Sequence, residues 1–239
     1  MIHYIIPFLA VILGYLAALF IQPKNQKNIK LLMAFSGSFL LALTVTHLLP
    51  DVYQYNLKEI AHSHLASEHN HSGGMIGFFI MLGIVLQIVL EYFSKGAEHG
   101  HVHLHDKLNH IPWLLFISLC LHALLEGLPI SRHQELSFGI AIHHLPIAVI
   151  LSTFFIRSGM PQKTVFFFMS LFAIMTPAGT ILSENFSFLQ NYYAEISAVV
   201  VGILFHISST IIFESNEDHK FNFNKLLAIM AGVLCAYFI

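Results

Sequence analysis

Eight stretches of apolar residues, separated by short polar or turn-forming segments, dominate this chain, and each approaches the roughly 20 residues a helix needs to cross a hydrocarbon core of about 30 Å. They fall near 3–21, 31–50, 74–93, 111–131, 136–156, 164–183, 192–213 and 223–239. In lipid, every backbone N–H and C=O must be satisfied inside the segment, so the pattern points to a bundle of spanning helices and excludes an ordinary soluble domain. The composition agrees: 56% of residues are apolar and 10% charged, against about 25% charged in a typical globular chain. The expected fold class is an all-α membrane protein, an eight-transmembrane-helix bundle forming one domain over 1–239. Asn222, Asn224 and Lys225 blur the start of the last run, so seven spans plus an interfacial segment is the alternative. His3, with no Lys or Arg before the first run, argues for a retained span rather than a cleaved signal peptide.

Charge removes further classes. A formal net charge of -2 leaves no basic surface for nucleic acid. Cys120 and Cys235 both lie in apolar runs, which rules out a disulfide framework and a paired-cysteine zinc ribbon. The basic residues are sorted by loop: Lys24, Lys27, Lys30, Lys95, Lys107, Arg157, Lys163, Lys220 and Lys225 fall in alternate connections, with only Lys58 and Arg132 in the other set. By the positive-inside rule the larger set is cytoplasmic, which puts both termini on the extracytoplasmic side. The longer loops are then 51–73 outside, 94–110 inside and 214–222 inside.

Imidazoles and carboxylates at membrane depth are costly unless they face a protein interior, so each is a candidate for function. In the fourth run, His122 and Glu126 are four residues apart and share one helical face. In the fifth, His143 and His144 are adjacent, and Pro146 removes a backbone donor close by. The short connection around Ser131 to Glu135 makes these runs an antiparallel hairpin. His122 and His143 lie about ten residues either side of its turn, which at 1.5 Å per residue is roughly 15 Å deep, near mid-membrane. Two or three imidazoles with one carboxylate suit a borderline divalent ion, Zn²⁺ first, with Fe²⁺, Mn²⁺, Co²⁺ or Cd²⁺ as other candidates. A plain hydrogen bond between His122 and Glu126, bridging helices structurally, is the simpler alternative.

These residues resemble a known family. His122-Ala-Leu-Leu-Glu126-Gly127 with His143-His144-Leu-Pro146 is similar to the signature helices of the ZIP (Zrt- and Irt-like) divalent-metal transporters. Ser36-Gly37-Ser38-Phe39-Leu40 leading to His47-Leu48-Leu49-Pro50-Asp51 resembles the family's second helix, Thr176-Pro177-Ala178-Gly179 its sixth, and Gly202-Ile203-Leu204-Phe205-His206 with Phe213-Glu214 its seventh. The resemblance implies eight spans, outward termini, and a metal site at His122, Glu126 and His143, with His144 as a further candidate ligand, through which zinc moves toward the cytoplasm. Many prokaryotic relatives carry an Asn after the first signature histidine, and a second carboxylate plus Gly after the proline, which build a two-metal centre. Here those places hold Ala123, Ile147 and Ala148, so a single-metal centre is expected.

Other polar groups fit a path. His47 and Asp51, four residues apart at the outer end of the second run, are candidates for an entrance, and an interfacial helix end is the equal alternative. His206, with Glu214 and Glu91, is a candidate exit on the inner side. His99, His101, His103 and His105 alternate in the inner loop as a candidate loop site, and His62, His64, His69 and His71 form the outer counterpart. The expected partners are a divalent cation and the lipid bilayer, with a homodimer left open, and the compact chain suits a bacterial inner membrane. No enzyme chemistry is expected: the His-Glu-x-x-His string of zinc proteases is absent. A bis-histidine b-type haem protein and a non-transporting metal-binding helical scaffold are the competing readings.

Overall fold

The computed structural model describes residues 1–21, 26–62, 72–94, 113–214 and 223–238. Among them the regular structure is helical throughout: α1 (Ile2–Ile21), α2 (Gln26–Leu43), α3 (Leu49–His62), α4 (Ser72–Ser94), α5 (Trp113–Gly127), α6 (Leu136–Arg157), α7 (Gln162–Asn185), α8 (Ser187–Asn191), α9 (Tyr193–Glu214) and α10 (Phe223–Ala236). Seven helical segments among the described residues are long and apolar enough to cross a membrane: α1, the α2–α3 rod, α4, α5, α6, α7 and α9. The eighth apolar run becomes α10, a shorter apolar helix of 14 residues.

One boundary differs from the sequence expectation. The outer loop expected from residue 51 is helical as far as His62, because α2 runs into α3 through a π-helical turn at Thr44–Leu48. The cause is Pro50, whose ring would collide with the carbonyl four residues earlier in a regular α-helix. The widened turn supplies the room, with the Leu49 N–H donating to the Thr44 carbonyl. The hydroxyls of Thr44 and Thr46 donate back to the carbonyls of Leu40 and Ala42, so the polar side chains of this turn are satisfied locally.

The helices close on two main cores. The first joins α1, α5, α6 and α7 through Val11, Leu119, Ile147, Phe155, Phe168 and Phe172. The second joins α2, α4, α9 and α10 through Leu40, Ile76, Val201, Leu204 and Ala236. Helix α6 belongs to both. Its first turns, with Leu136 and Ile140, sit in the second core, and its later turns, with Ile147 and Leu151, sit in the first. His143 and His144 therefore lie where the helix passes from one core to the other.

Close helix approach rests on glycine, as expected where apolar helices associate by packing alone. A Cβ at Gly127 would stand 2.1 Å from the Thr176 carbonyl oxygen, and one at Gly179 would stand 2.1 Å from that of Leu124, so α5 and α7 touch backbone to backbone. The Thr180 hydroxyl donates to the Gly127 carbonyl at 2.9 Å across the same crossing. Gly83 and Gly202 play the same mutual part between α4 and α9.

Candidate metal centre

At the level where α6 changes cores, His122 and Glu126 of α5 meet His143 of α6. One ligand atom from each lies within 4.8 Å of the others, and all three residues are fully buried. The helical spacing accounts for the first pair, which stand one turn apart with His122 Nε2 3.2 Å from Glu126 Oε1. Zinc–ligand bonds of about 2.0–2.1 Å place neighbouring ligands of a tetrahedron about 3.3 Å apart, so this pair already has the edge length of a zinc site. His143 arrives from the other side, its ring 6.3 Å from that of His122, centroid to centroid. Its ligand atom has at most about 1.5 Å to close.

His144 stands differently. Its Nε2 is 2.8 Å from Glu126 Oε2, the oxygen turned away from His122, and its ring packs 5.4 Å from that of Phe172. It is outside the converging group of donors. The positions that would furnish a second ion are apolar and closed: Ala123 and Ala148 are fully buried, and Ile147 sits in the first core. Ala148 packs so tightly on Gly14 of α1 that a Cβ at Gly14 would meet that of Ala148 at 2.6 Å. A carboxylate buried to this degree needs compensation, and Glu126 has two imidazoles on its oxygens and a third beside it.

The other candidate residues separate into two places. Near the end of α4, His206 Nε2 and Glu91 Oε2 are 2.6 Å apart, linking α9 to α4. Glu214 is the last residue of α9, and its side chain lies outside the described residues. His47 and Asp51 take different partners. His47 Nδ1 lies 2.8 Å from the Thr46 hydroxyl, whereas Asp51 Oδ2 lies 2.9 Å from His133 Nε2. His99, His101, His103 and His105, with His64, His69 and His71, fall outside the described residues.

The sequence reading missed the second half of that Asp51 contact. His133 bridges two carboxylates, since its Nδ1 is also 2.7 Å from Glu135 Oε1. Beside it, the Arg132 guanidinium lies over the rings of Tyr55 and Tyr193, at 4.8 and 4.1 Å from their centroids. The α5–α6 connection is thus clamped to α3 and α9. Its signal was present: three ionisable residues crowd a four-residue connection, Arg132-His133-Gln134-Glu135, at the same end of the bundle as Asp51. Lys225, counted with the cytoplasmic loops, is instead buried on α10, where its Nζ donates to the Ile212 carbonyl near the end of α9 at 2.6 Å.

A bundle of apolar helices holding imidazole and carboxylate groups in its interior defines an integral membrane protein, and those groups are a candidate cation site. The family follows from comparison with known proteins: the model described as ZIP zinc transporter matches residues 94–239, more than half of the chain, and the chain belongs to that family. It is 31% identical over 90 residues to "Zinc transporter ZIP1" of Danio rerio, a stretch covering 35% of this chain and 30% of that protein. It is 30% identical over 93 residues to "Zinc transporter SLC39A7" of Mus musculus, covering 35% of this chain and 18% of that protein. The matched stretch spans under a third of the length of either relative.

Proposed function

We propose that this chain carries a divalent cation, zinc before others, across the membrane toward the cytoplasm through one centre made by His122, Glu126 and His143. The observation that carries the reading is the convergence of these donors from two antiparallel helices, fully buried, with one edge already at zinc-like spacing. Two neutral imidazoles and one carboxylate leave a bound Zn²⁺ with a formal charge of +1, which favours release over permanent retention. With the second ion's places filled by Ala123, Ile147 and Ala148, a single ion occupies the centre at a time.

In this reading α10 completes eight spans and both termini face outward. The close seat of Gly232 against Phe35 and Ser38 of α2, where a Cβ would stand 2.2 Å from the Ser38 hydroxyl, supports α10 as an integral member of the bundle. The sorting of basic residues supports the orientation. Asp51 and His47 then serve the entrance, and His206 with Glu91 receives the ion on the inner side.

The test is zinc uptake into proteoliposomes holding the full chain. Glu126→Ala and His143→Ala abolish uptake while eluting as folded protein in size-exclusion chromatography, and normal uptake by both variants would sink the assignment. Tight zinc binding without any uptake by the unaltered chain would favour the scaffold reading.

A further inference from the structure

The role of His144 is decided by what it touches. A carboxylate only accepts hydrogen bonds, so the contact of 2.8 Å to Glu126 Oε2 requires the proton of the imidazole to sit on Nε2. That nitrogen then has no lone pair for a metal. The ring packs against Phe172 of α7 on one side, at 5.4 Å between centroids, and is itself 1% exposed. The other oxygen, Oε1, is the one facing His122 Nε2.

From this we infer that His144 is a positioning residue: by holding Oε2 it allows Glu126 to give an ion one oxygen only, and so reserves the centre for ions content with few ligands. The inference rests on His122, Glu126 and His143 being the transport centre. Two imidazoles and one carboxylate oxygen make a three-ligand shell whose fourth tetrahedral place remains for water, which suits Zn²⁺. Mn²⁺ prefers six oxygen-rich positions, and a carboxylate free to turn and bind through both oxygens would move the shell toward that preference. Ala123 and Ile147 add to the effect, since neither offers a donor that could raise the coordination number. The departure from a two-metal pattern thereby gains a chemical consequence. At the step after the first ligand histidine of α6, this chain places a hydrogen-bond donor that fixes the charge shared by the first ion.

The experiment uses the full chain in detergent and in proteoliposomes, with Zn²⁺, Mn²⁺ and Co²⁺ as probes. His144→Leu and His144→Met cannot donate; His144→Gln can, with similar reach. Both non-donating variants should bind zinc about 10-fold or more weakly, the usual scale for losing the group that orients a metal ligand. Their ratio of Mn²⁺ to Zn²⁺ uptake should rise, and bound Co²⁺ should lose the intense visible absorption of four-coordination. His144→Gln should restore the uptake ratio and the cobalt spectrum, an outcome that simple loss of packing would not produce. An unchanged ratio and spectrum in whichever non-donating variant folds overturns the inference. So does equal loss of binding in the Leu, Met and Gln variants, which would place the effect in the imidazole itself, as packing or as a ligand, and not in the bond it donates. Normal zinc uptake by Glu126→Ala and His143→Ala would instead refute the transport centre on which the inference stands.

Discussion

Gly127 stands next to Glu126, the carboxylate of the proposed centre, and at a backbone-to-backbone contact of the α5–α7 crossing, so a single methyl group there tests whether packing sets the metal geometry. In Gly127→Ala the new Cβ would lie 2.1 Å from the Thr176 carbonyl oxygen and 3.2 Å from Gly179 Cα, both rigid backbone atoms. Ordinary contact requires the two helices to withdraw by about 1 Å or more. Overpacking of this kind costs roughly 1–3 kcal/mol, and loss of the Thr180 to Gly127 hydrogen bond adds about 0.6 kcal/mol. The more telling effect is on Glu126, which rides on the same turn of α5, while His143 and His144 stay on α6. A shift of that size exceeds the roughly 0.5 Å within which a metal or catalytic constellation has to be held. Zinc affinity, measured by competition with a fluorescent chelator, should therefore fall by more than the change in melting temperature accounts for. Gly202→Ala is the control. Its Cβ would meet the Ile80 carbonyl at 2.0 Å, a comparable insult between α4 and α9, neither of which carries a residue of the proposed centre. It should lower stability similarly and leave zinc affinity near that of the unaltered chain. If Gly127→Ala binds zinc normally, or both variants lose affinity alike, the link between this crossing and the centre is wrong.

Two further outcomes are expected. Arg132→Ala removes two cation–π contacts, each worth about 0.5–1 kcal/mol, and should lower the stability of the purified protein by about 1–2 kcal/mol in thermal unfolding, with Arg132→Lys intermediate. Zinc binding should weaken as pH is lowered, because a proton and the ion compete for the same imidazole lone pair at His122 and His143, and titration calorimetry should record proton release.

The proximity of His122, Glu126 and His143 was legible because it depends on rules that act within one or two helices. The four-residue spacing of His122 and Glu126 fixes a shared face. The short hairpin fixes the matching depth of His143, since equal numbers of residues at 1.5 Å each reach equal levels. The helical class followed from apolar run length. What escaped depends on neighbours distant in sequence. Nothing local distinguishes His144 from His143, and only the orientation of α6 against α5 and Phe172 turns one imidazole to the centre and the other to Glu126 Oε2. Asp51 was paired with His47 because they are four apart, but the π turn ending at Leu48 intervenes, and the α5–α6 connection delivers His133 to the carboxylate instead. Lys225 read as a loop charge because its hydrogen-bond acceptor, the Ile212 carbonyl, lies across an intervening segment of chain.

The apolar filling around Ile147 and Ala148 also bears on how such a chain can diversify. A carboxylate introduced at position 147 would enter the apolar cluster that holds Val11, Leu151 and Phe155. Enlarging position 148 would drive into α1 at Gly14. An enlarged side chain at 148 therefore needs α1 to give way at the same time, so on the proposed single-ion reading a second ligand there would require concerted revision of two helices.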